Sequence, residues 1–486
     1  MITLIKINPP WGMVNPPLGL LYIGNALKKA GHEVKVLHYS SEDALSHVQE
    51  IVRSKPLFVG FSVFTAGGIR DTVLMCKEIK RISKIPIVWG NAHPSLTPEQ
   101  CLNEPYVDIV VFSEGEETVV ELAKAIEKGQ ELKNIRGIGY REGGRVKITE
   151  PRPFIQNLDQ YKADWSLIDI NKYIRPYWDL KRVLPFVTSR GCPHDCSFCY
   201  NLVFNKRRWR AHSIDFVVSE VEKLKSEYNI DGIRFWDDNF FVNKERAFKI
   251  VERINLPYFA ETRIDYVDED FAKKLKETKC QELLFGLESG SNRILKLINK
   301  GFTVEDILKG IKILAKFKIP KISGSIIIGY PTETKSEFLQ TMKMVTQLLE
   351  INPKVEFTTG LYLPYPGVPS YELAIKEGFN PPQETEGWDV LDRWAYGSEV
   401  SWLDWITASE VNKIRKYIMV TSILFSLNVP VFKRLAKYRL TTGNYFMDYD
   451  MRLWKWLRSK YLYGDRNSAP IKFIRTIGRA IKRLRK

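Results

Sequence analysis

The stretch "TSRGCPHDCSFCYN" (188–201) sets three of the chain's 6 cysteines, Cys192, Cys196 and Cys199, on one short loop. The spacing C-x3-C-x2-C points to a metal centre, because thiolates are natural ligands of zinc and of iron–sulfur clusters. Zinc usually takes two C-x2-C pairs or a Cys/His set of four, and no second pair exists in this sequence. His194 lies inside the loop and reads equally as a ligand or as a bystander. Three thiolates hold three irons of a [4Fe–4S] cube and leave the fourth iron open. The alternative is a zinc-binding or purely structural thiol loop.

On both sides of this loop, apolar runs alternate with helical patterns. Downstream, strands are expected at 183–188, 231–236, 257–262, 282–287, 323–328 and 355–361, and helices at 213–228, 244–254, 268–278, 303–317 and 333–350. Six β/α units predict a partial or full parallel barrel, with its chemistry at the C-terminal ends of the strands. Upstream, strands are expected at 2–8, 33–38, 57–62, 86–90 and 107–112, and helices at 19–30, 67–82 and 115–128. That alternation predicts a doubly wound, Rossmann-like parallel sheet, closed by a hairpin in "YREGGRVKI" (140–148). The expected organisation is a doubly wound domain over 1–150, a connector over 151–180, a barrel over 181–380, and an aromatic-rich, basic, helical region over 381–486. The overall class is α/β.

C-x3-C-x2-C with an aromatic residue, Phe198, before the last cysteine resembles the signature of radical S-adenosylmethionine enzymes. The motif sits where that family needs it, directly after the first barrel strand. In the family, the amino and carboxylate groups of S-adenosylmethionine chelate the open iron. The resemblance then implies roles for residues at the strand ends. "RFWDDNFF" places Asp237, Asp238 and Asn239 to accept from an ammonium. "AETRID" places Glu261 and Arg263, whose fork suits a carboxylate. "FGLESGS" places Glu288 to accept from ribose hydroxyls. "GSIIIGYPTET" places Gly329, where a missing side chain lets adenine approach the backbone. Taken singly, each carboxylate reads equally well as a solvated or helix-capping group. Tyr200, Tyr330, Tyr362 and Tyr365 are candidates to line the substrate space, with core packing the commoner role for such residues.

In the upstream domain, the strand-end turns are "NPPWGMVNPPLGLLYIGNAL", "GFSVFTA", "GNAHPSLTPEQ" and "FSEGEET". They are rich in small polar residues and suit a large polar ligand; the candidates are Asn8, Ser62, Asn91, Ser113 and Glu114. Neither G-x-G-x-x-G nor a P-loop is present, which disfavours a dinucleotide. A doubly wound domain ahead of this barrel resembles the cobalamin-binding (class B) radical S-adenosylmethionine methyltransferases, as does "LYLPYPGVPSYELAIKEG" (361–378). The resemblance covers residues 1–380. It implies cobalamin, a [4Fe–4S] cluster and S-adenosylmethionine as cofactors, and an external electron donor. It further implies a 5′-deoxyadenosyl radical that activates an sp3 carbon for methylation; a cyclase, oxidase or C–C bond-forming reaction is the alternative. Two features depart from the pattern. The D-x-H-x-x-G motif that supplies a cobalt-ligating histidine in some cobalamin proteins is absent, and Asn91 stands where a second glycine is common. His93 reads as a turn residue rather than a cobalt ligand.

The net charge of +16 is concentrated at one end, since residues 431–486 carry 16 Lys and Arg against 3 Asp and Glu. "PIKFIRTIGRAIKRLRK" (470–486) gathers Ile471, Ile474, Ile477, Ile481 and Leu484 on one helical stripe. Such a helix suits an anionic membrane surface and a lipophilic substrate, or is simply a solvated tail. Nucleic acid is disfavoured, because no stacking platform accompanies the charge. The first residues read as a strand, not a signal peptide. The apolar run at 417–432 is short for a membrane span. The expected location is the cytoplasm, with a peripheral position at the inner face of the membrane as the alternative that the basic tail offers.

Overall fold

A computed structural model describes residues 1–8, 15–391, 402–426 and 430–443. The basic segment 470–486, with the stripe expected there, lies outside the described residues.

The first sheet contains β1 (Ile2–Asn8), β2 (Val34–Ser40), β3 (Val59–Ser62), β4 (Ile87–Gly90), β5 (Ile109–Val111), β6 (Ile138–Glu142) and β7 (Arg145–Ile148), in the order β2-β1-β3-β4-β5-β6-β7. The five leading strands are parallel, and β6 and β7 close the edge as the expected antiparallel hairpin. The order 2-1-3-4-5 is a doubly wound topology, whose ligand crevice opens where the winding reverses, beside β1 and β3. Strands covered on both faces read as continuous apolar runs, and Ile2, Leu4, Ile5 and Ile7 of β1 are all buried. Three short α-helical segments, Val48–Arg53, Ala92–Leu96 and Pro98–Asn103, were not expected, being too short to show a 3.6-residue period.

The second sheet contains β8 (Arg175–Tyr177), β9 (Leu180–Phe186), β12 (Gly232–Phe235), β13 (Tyr258–Thr262), β14 (Cys280–Glu288), β15 (Lys321–Ile328) and β16 (Val355–Leu361). Between β9 and β12 a separate two-stranded ribbon pairs β10 (Ser189–Arg190) with β11 (Arg210–Ala211). The six strands from β9 to β16 are parallel and leave the barrel open. β8 is an antiparallel addition made from the end of the segment expected to be a connector. It escaped sequence reading because its turn has no glycine: Trp178 adopts φ 56°, with the Lys321 ammonium 3.9 Å from its ring centroid.

Helix Lys335–Ile351 begins with a capping box in which Thr334 and Glu337 each satisfy the other's backbone N–H. Helix Ala408–Ser426 packs on β16, the open edge of the barrel sheet. The segment before it returns to the first domain, where Trp388 Nε1 donates to Gln100 Oε1 at 2.8 Å. Among the described residues, no helix is long and apolar enough to cross a membrane.

Candidate functional site

The cysteine loop hangs from the end of β9 and is tied to the end of β12. Asp237 is 1% exposed and accepts from Thr188 N (3.1 Å), Thr188 Oγ1 (2.8 Å) and Ser189 Oγ. Its carboxylate is therefore taken up in anchoring the loop, whereas the next residue, Asp238, is exposed toward the interdomain cavity and accepts from Gly191 N at 3.0 Å. Gly191 has φ 80°, and a Cβ there would stand 2.2 Å from the Arg208 carbonyl oxygen, so only glycine lets the loop close. Within the loop, Cys199 N donates to Cys196 O at 3.0 Å. The Ser197 hydroxyl lies 3.0 Å from Tyr330 OH and 2.9 Å from Ser370 Oγ. Tyr330 and Tyr362 are accordingly core residues, while Tyr200 lines the cavity. His194 Nε2 lies 2.8 Å from Tyr266 OH.

Cationic groups converge on the buried thiol of Cys196. Arg263 Nη1 lies 3.8 Å from its sulfur, and the rest of the guanidinium is held by Asp265, with Nε at 3.0 Å and Nη2 at 2.9 Å. The fork expected to receive a carboxylate thus has an internal one already. Lys300, which no sequence signal singled out, donates to Glu288 Oε1 at 2.8 Å and lies 5.7 Å from the Phe198 ring centroid. Glu288 itself has φ 61° at the strand end. Gly329 (φ 79°) donates its N–H to Glu333 Oε2 at 2.7 Å, and its carbonyl accepts from Trp402 Nε1 at 2.8 Å. Burial pushes the Cys192 thiol up, and pushes Cys199 up to about 12.

This donor set fits an anionic iron–sulfur cluster. Three thiols share one loop, and Arg263 and Lys300 stand by to balance thiolate charge. Among the described residues, no three His, Cys, Asp or Glu side chains are placed to hold a single ion. A cube binds each thiolate through a different iron, so its sulfurs need not converge on one point.

Facing the loop across the domain boundary is a cavity of about 350 Å³. Its first-sheet wall includes Ser62, Asn91, Ser113 and Glu114 above Gly60 and Gly90, and its barrel wall includes Arg190, Gly191, Tyr200 and Asp238. A Cβ on Gly90 would meet only the Val111 carbonyl oxygen, at 3.7 Å, so this glycine leaves room over the end of β4, which suits a broad, flat ligand. Asn91 (φ 88°) donates Nδ2 to Ser62 Oγ at 2.9 Å, and Ser113 N donates to Ser95 Oγ at 2.9 Å. Asn8 is not part of the wall; its carbonyl accepts from Ser41 N at 3.1 Å. Residues 9–14, part of the first quoted turn, lie outside the described residues. Among the described residues, no histidine lines the cavity. His93, expected in a turn, belongs to helix Ala92–Leu96 and is fully buried, with Nδ1 3.1 Å from Thr65 Oγ1 and its ring edge-on to Trp388. Burial lowers its pKa to about 3, so it is neutral.

Comparison with known proteins agrees with this geometry. The radical SAM superfamily model matches residues 186–345, and the B12 binding domain model matches residues 11–123. The chain is 37% identical over 377 residues to the uncharacterized methyltransferase PH0819 of Pyrococcus horikoshii, covering 75% of this chain and 79% of that protein. It is 29% identical over 372 residues to the anaerobic magnesium-protoporphyrin IX monomethyl ester cyclase of Synechocystis, covering 72% of this chain and 73% of the relative. The fold is shared with the radical S-adenosylmethionine methyltransferase TsrM from Kitasatospora setae, solved with cobalamin and a [4Fe–4S] cluster. That match has a TM-score of 0.62 at 20% identity, over 77% of this chain and 75% of TsrM.

Proposed function

The chain belongs to the B12-binding branch of the radical S-adenosylmethionine superfamily, with a [4Fe–4S] cluster, S-adenosylmethionine and cobalamin as its cofactors, and from that premise we propose that it methylates an unactivated carbon of a hydrophobic small molecule. The supporting observation is the single cavity whose two walls are the cobalamin-type strand ends and the cysteine loop. When bound, the cluster supplies the electron that cleaves S-adenosylmethionine, and methylcobalamin supplies the methyl group.

The chain's own residues position and shield. Cys192, Cys196 and Cys199 are the proposed iron ligands, and Phe198 packs beside them. Asp238 and Glu288 are acceptors for cosubstrate groups, Arg263 balances the charge on the Cys196 sulfur, and Asp237 fixes the loop. Ser62, Asn91, Ser113 and Glu114 border the cobalamin crevice. Contact with an anionic membrane through residues 470–486 belongs to the same proposal, and sedimentation with anionic lipid vesicles tests it.

Methyl transfer is tested by anaerobic reconstitution with hydroxocobalamin, a reducing electron donor and candidate substrates, followed by product mass. A gain of one methylene, with both deoxyadenosine and S-adenosylhomocysteine formed, is the expected result. Deoxyadenosine alone, with no added methylene, would instead favour a cyclase, a reading supported by the Synechocystis relative.

A further inference from the structure

The geometry points to an ionic clamp, Glu114 and Glu116 on Arg190 and Arg210, that couples occupancy of the cobalamin crevice to the set of the cysteine loop. The inference rests on the cofactor reading above.

All three cysteines lie between β10 and β11, so this two-stranded ribbon is the neck of their loop. Arg190 and Arg210 are direct partners across it. Like charges opposite each other destabilise a strand pair unless something intervenes. Glu114 does so: Arg190 Nη1 donates to its Oε1 at 2.8 Å, and Arg210 Nη1 reaches its two oxygens at 2.8 and 2.7 Å. Glu116 accepts the other Arg190 nitrogen, Nη2, at 2.5 Å. The clamp is buried, with the Glu114 and Glu116 side chains 7% and 5% exposed and Arg190 and Arg210 18% and 8% exposed. Glu114 Oε2 also accepts from Ile155 N at 2.8 Å, and the Arg190 guanidinium lies 5.0 Å from the Tyr22 ring centroid.

Two positive and two negative charges balance there, so the neck keeps this geometry only while the 113–116 turn holds its place. That turn is also a wall of the cavity: Ser113, Glu114, Gly115 and Glu116 all line it, as do Arg190 and Gly191 on the other side. A ligand resting on the turn therefore bears on the groups that set the neck, and the cluster at the loop's far end bears on the ligand. Linkage makes the effect reciprocal: cluster loading changes cobalamin affinity by the same factor as cobalamin changes the cluster's. Arg190, Arg210 and Glu116 act here as positioning residues.

The test titrates hydroxocobalamin into the full-length chain, with its cluster reconstituted and after stripping by chelator, and records the electron paramagnetic resonance spectrum of the reduced cluster with and without cobalamin. The expected result is cobalamin binding about tenfold tighter when the cluster is present, within the 5- to 150-fold range usual for such coupling, together with a changed cluster spectrum on cobalamin addition. In Glu116→Gln both differences shrink, while Glu116→Asp, which keeps the charge, restores part of them. Equal affinities in the two wild-type states overturn the clamp whatever the variants do. No cobalamin binding in either state overturns the clamp and the cofactor reading together.

Discussion

The Lys300 ammonium donates to Glu288 Oε1 at 2.8 Å in a site where both side chains are 7% exposed. These residues are 12 apart in sequence, on the end of β14 and on the turn that precedes helix Val304–Lys316. Breaking a buried pair leaves one charge without compensation, at a cost of about 3–5 kcal/mol. Lys300→Met and Glu288→Gln are each expected to lose stability on that scale, and the double variant to lose less than their sum. Urea unfolding of the cluster-free chain measures all three, and an additive result would mean that the pair does not interact.

Gly191→Ala is expected to abolish iron binding and, through the coupling inferred above, to weaken cobalamin binding about tenfold without abolishing it. A Cβ 2.2 Å from the Arg208 carbonyl, at φ 80°, forces the neck of the cysteine loop apart but touches nothing in the first sheet. Iron and cobalamin per chain after anaerobic reconstitution read the outcome; normal iron loading would show that the loop tolerates the side chain.

Asp237→Asn removes a charge that accepts from Thr188 and Ser189. A lost charge-assisted hydrogen bond costs roughly 1.5–3 kcal/mol, and the loop it anchors carries the proposed iron ligands. The variant is expected to hold its cluster less tightly, seen as faster iron release to a chelator. Asp238→Asn, which leaves those anchors intact, should release iron at the wild-type rate yet show a smaller spectral response to S-adenosylmethionine. Reversed behaviour of the two variants would exchange their roles.

Burial raises the Glu333 carboxyl from its ordinary 4.5 to about 8. The folded chain therefore holds this proton more tightly than the unfolded chain does. Its contribution to stability is fully present below pH 4.5 and is lost as pH rises toward 8. Glu333→Gln keeps an acceptor for the Gly329 N–H but has no proton to lose. Its melting temperature relative to wild type should rise between pH 5 and pH 8; a difference that stays flat across that range would place the titration elsewhere.

Much of the site was legible in one dimension because its signals are local. The C-x3-C-x2-C spacing lies on one loop, and the β/α alternation is a periodic pattern read over ten or fifteen residues. The strands expected at 231–236, 257–262 and 355–361 match Gly232–Phe235, Tyr258–Thr262 and Val355–Leu361 to within a residue at each end. Helix Ala92–Leu96 was missed because five residues are too few to show a period, and β8 because its turn relies on a tryptophan held by a distant lysine.

The amino-acid sequence alone determined that two parallel β/α units follow one another, that three thiols share a loop after the first barrel strand, and that polar residues gather at the strand ends. Each is a matter of short-range order and side-chain type. Tertiary structure alone decided what those polar residues do. Asp237 is enclosed by hydroxyls 48 and 49 positions away, while its neighbour Asp238 faces the cavity. Glu114 meets Arg190 and Arg210 across 76 and 96 positions. A carboxylate's role depends on which donors surround it and how far water is excluded, and both are set by chain segments that sequence proximity does not connect.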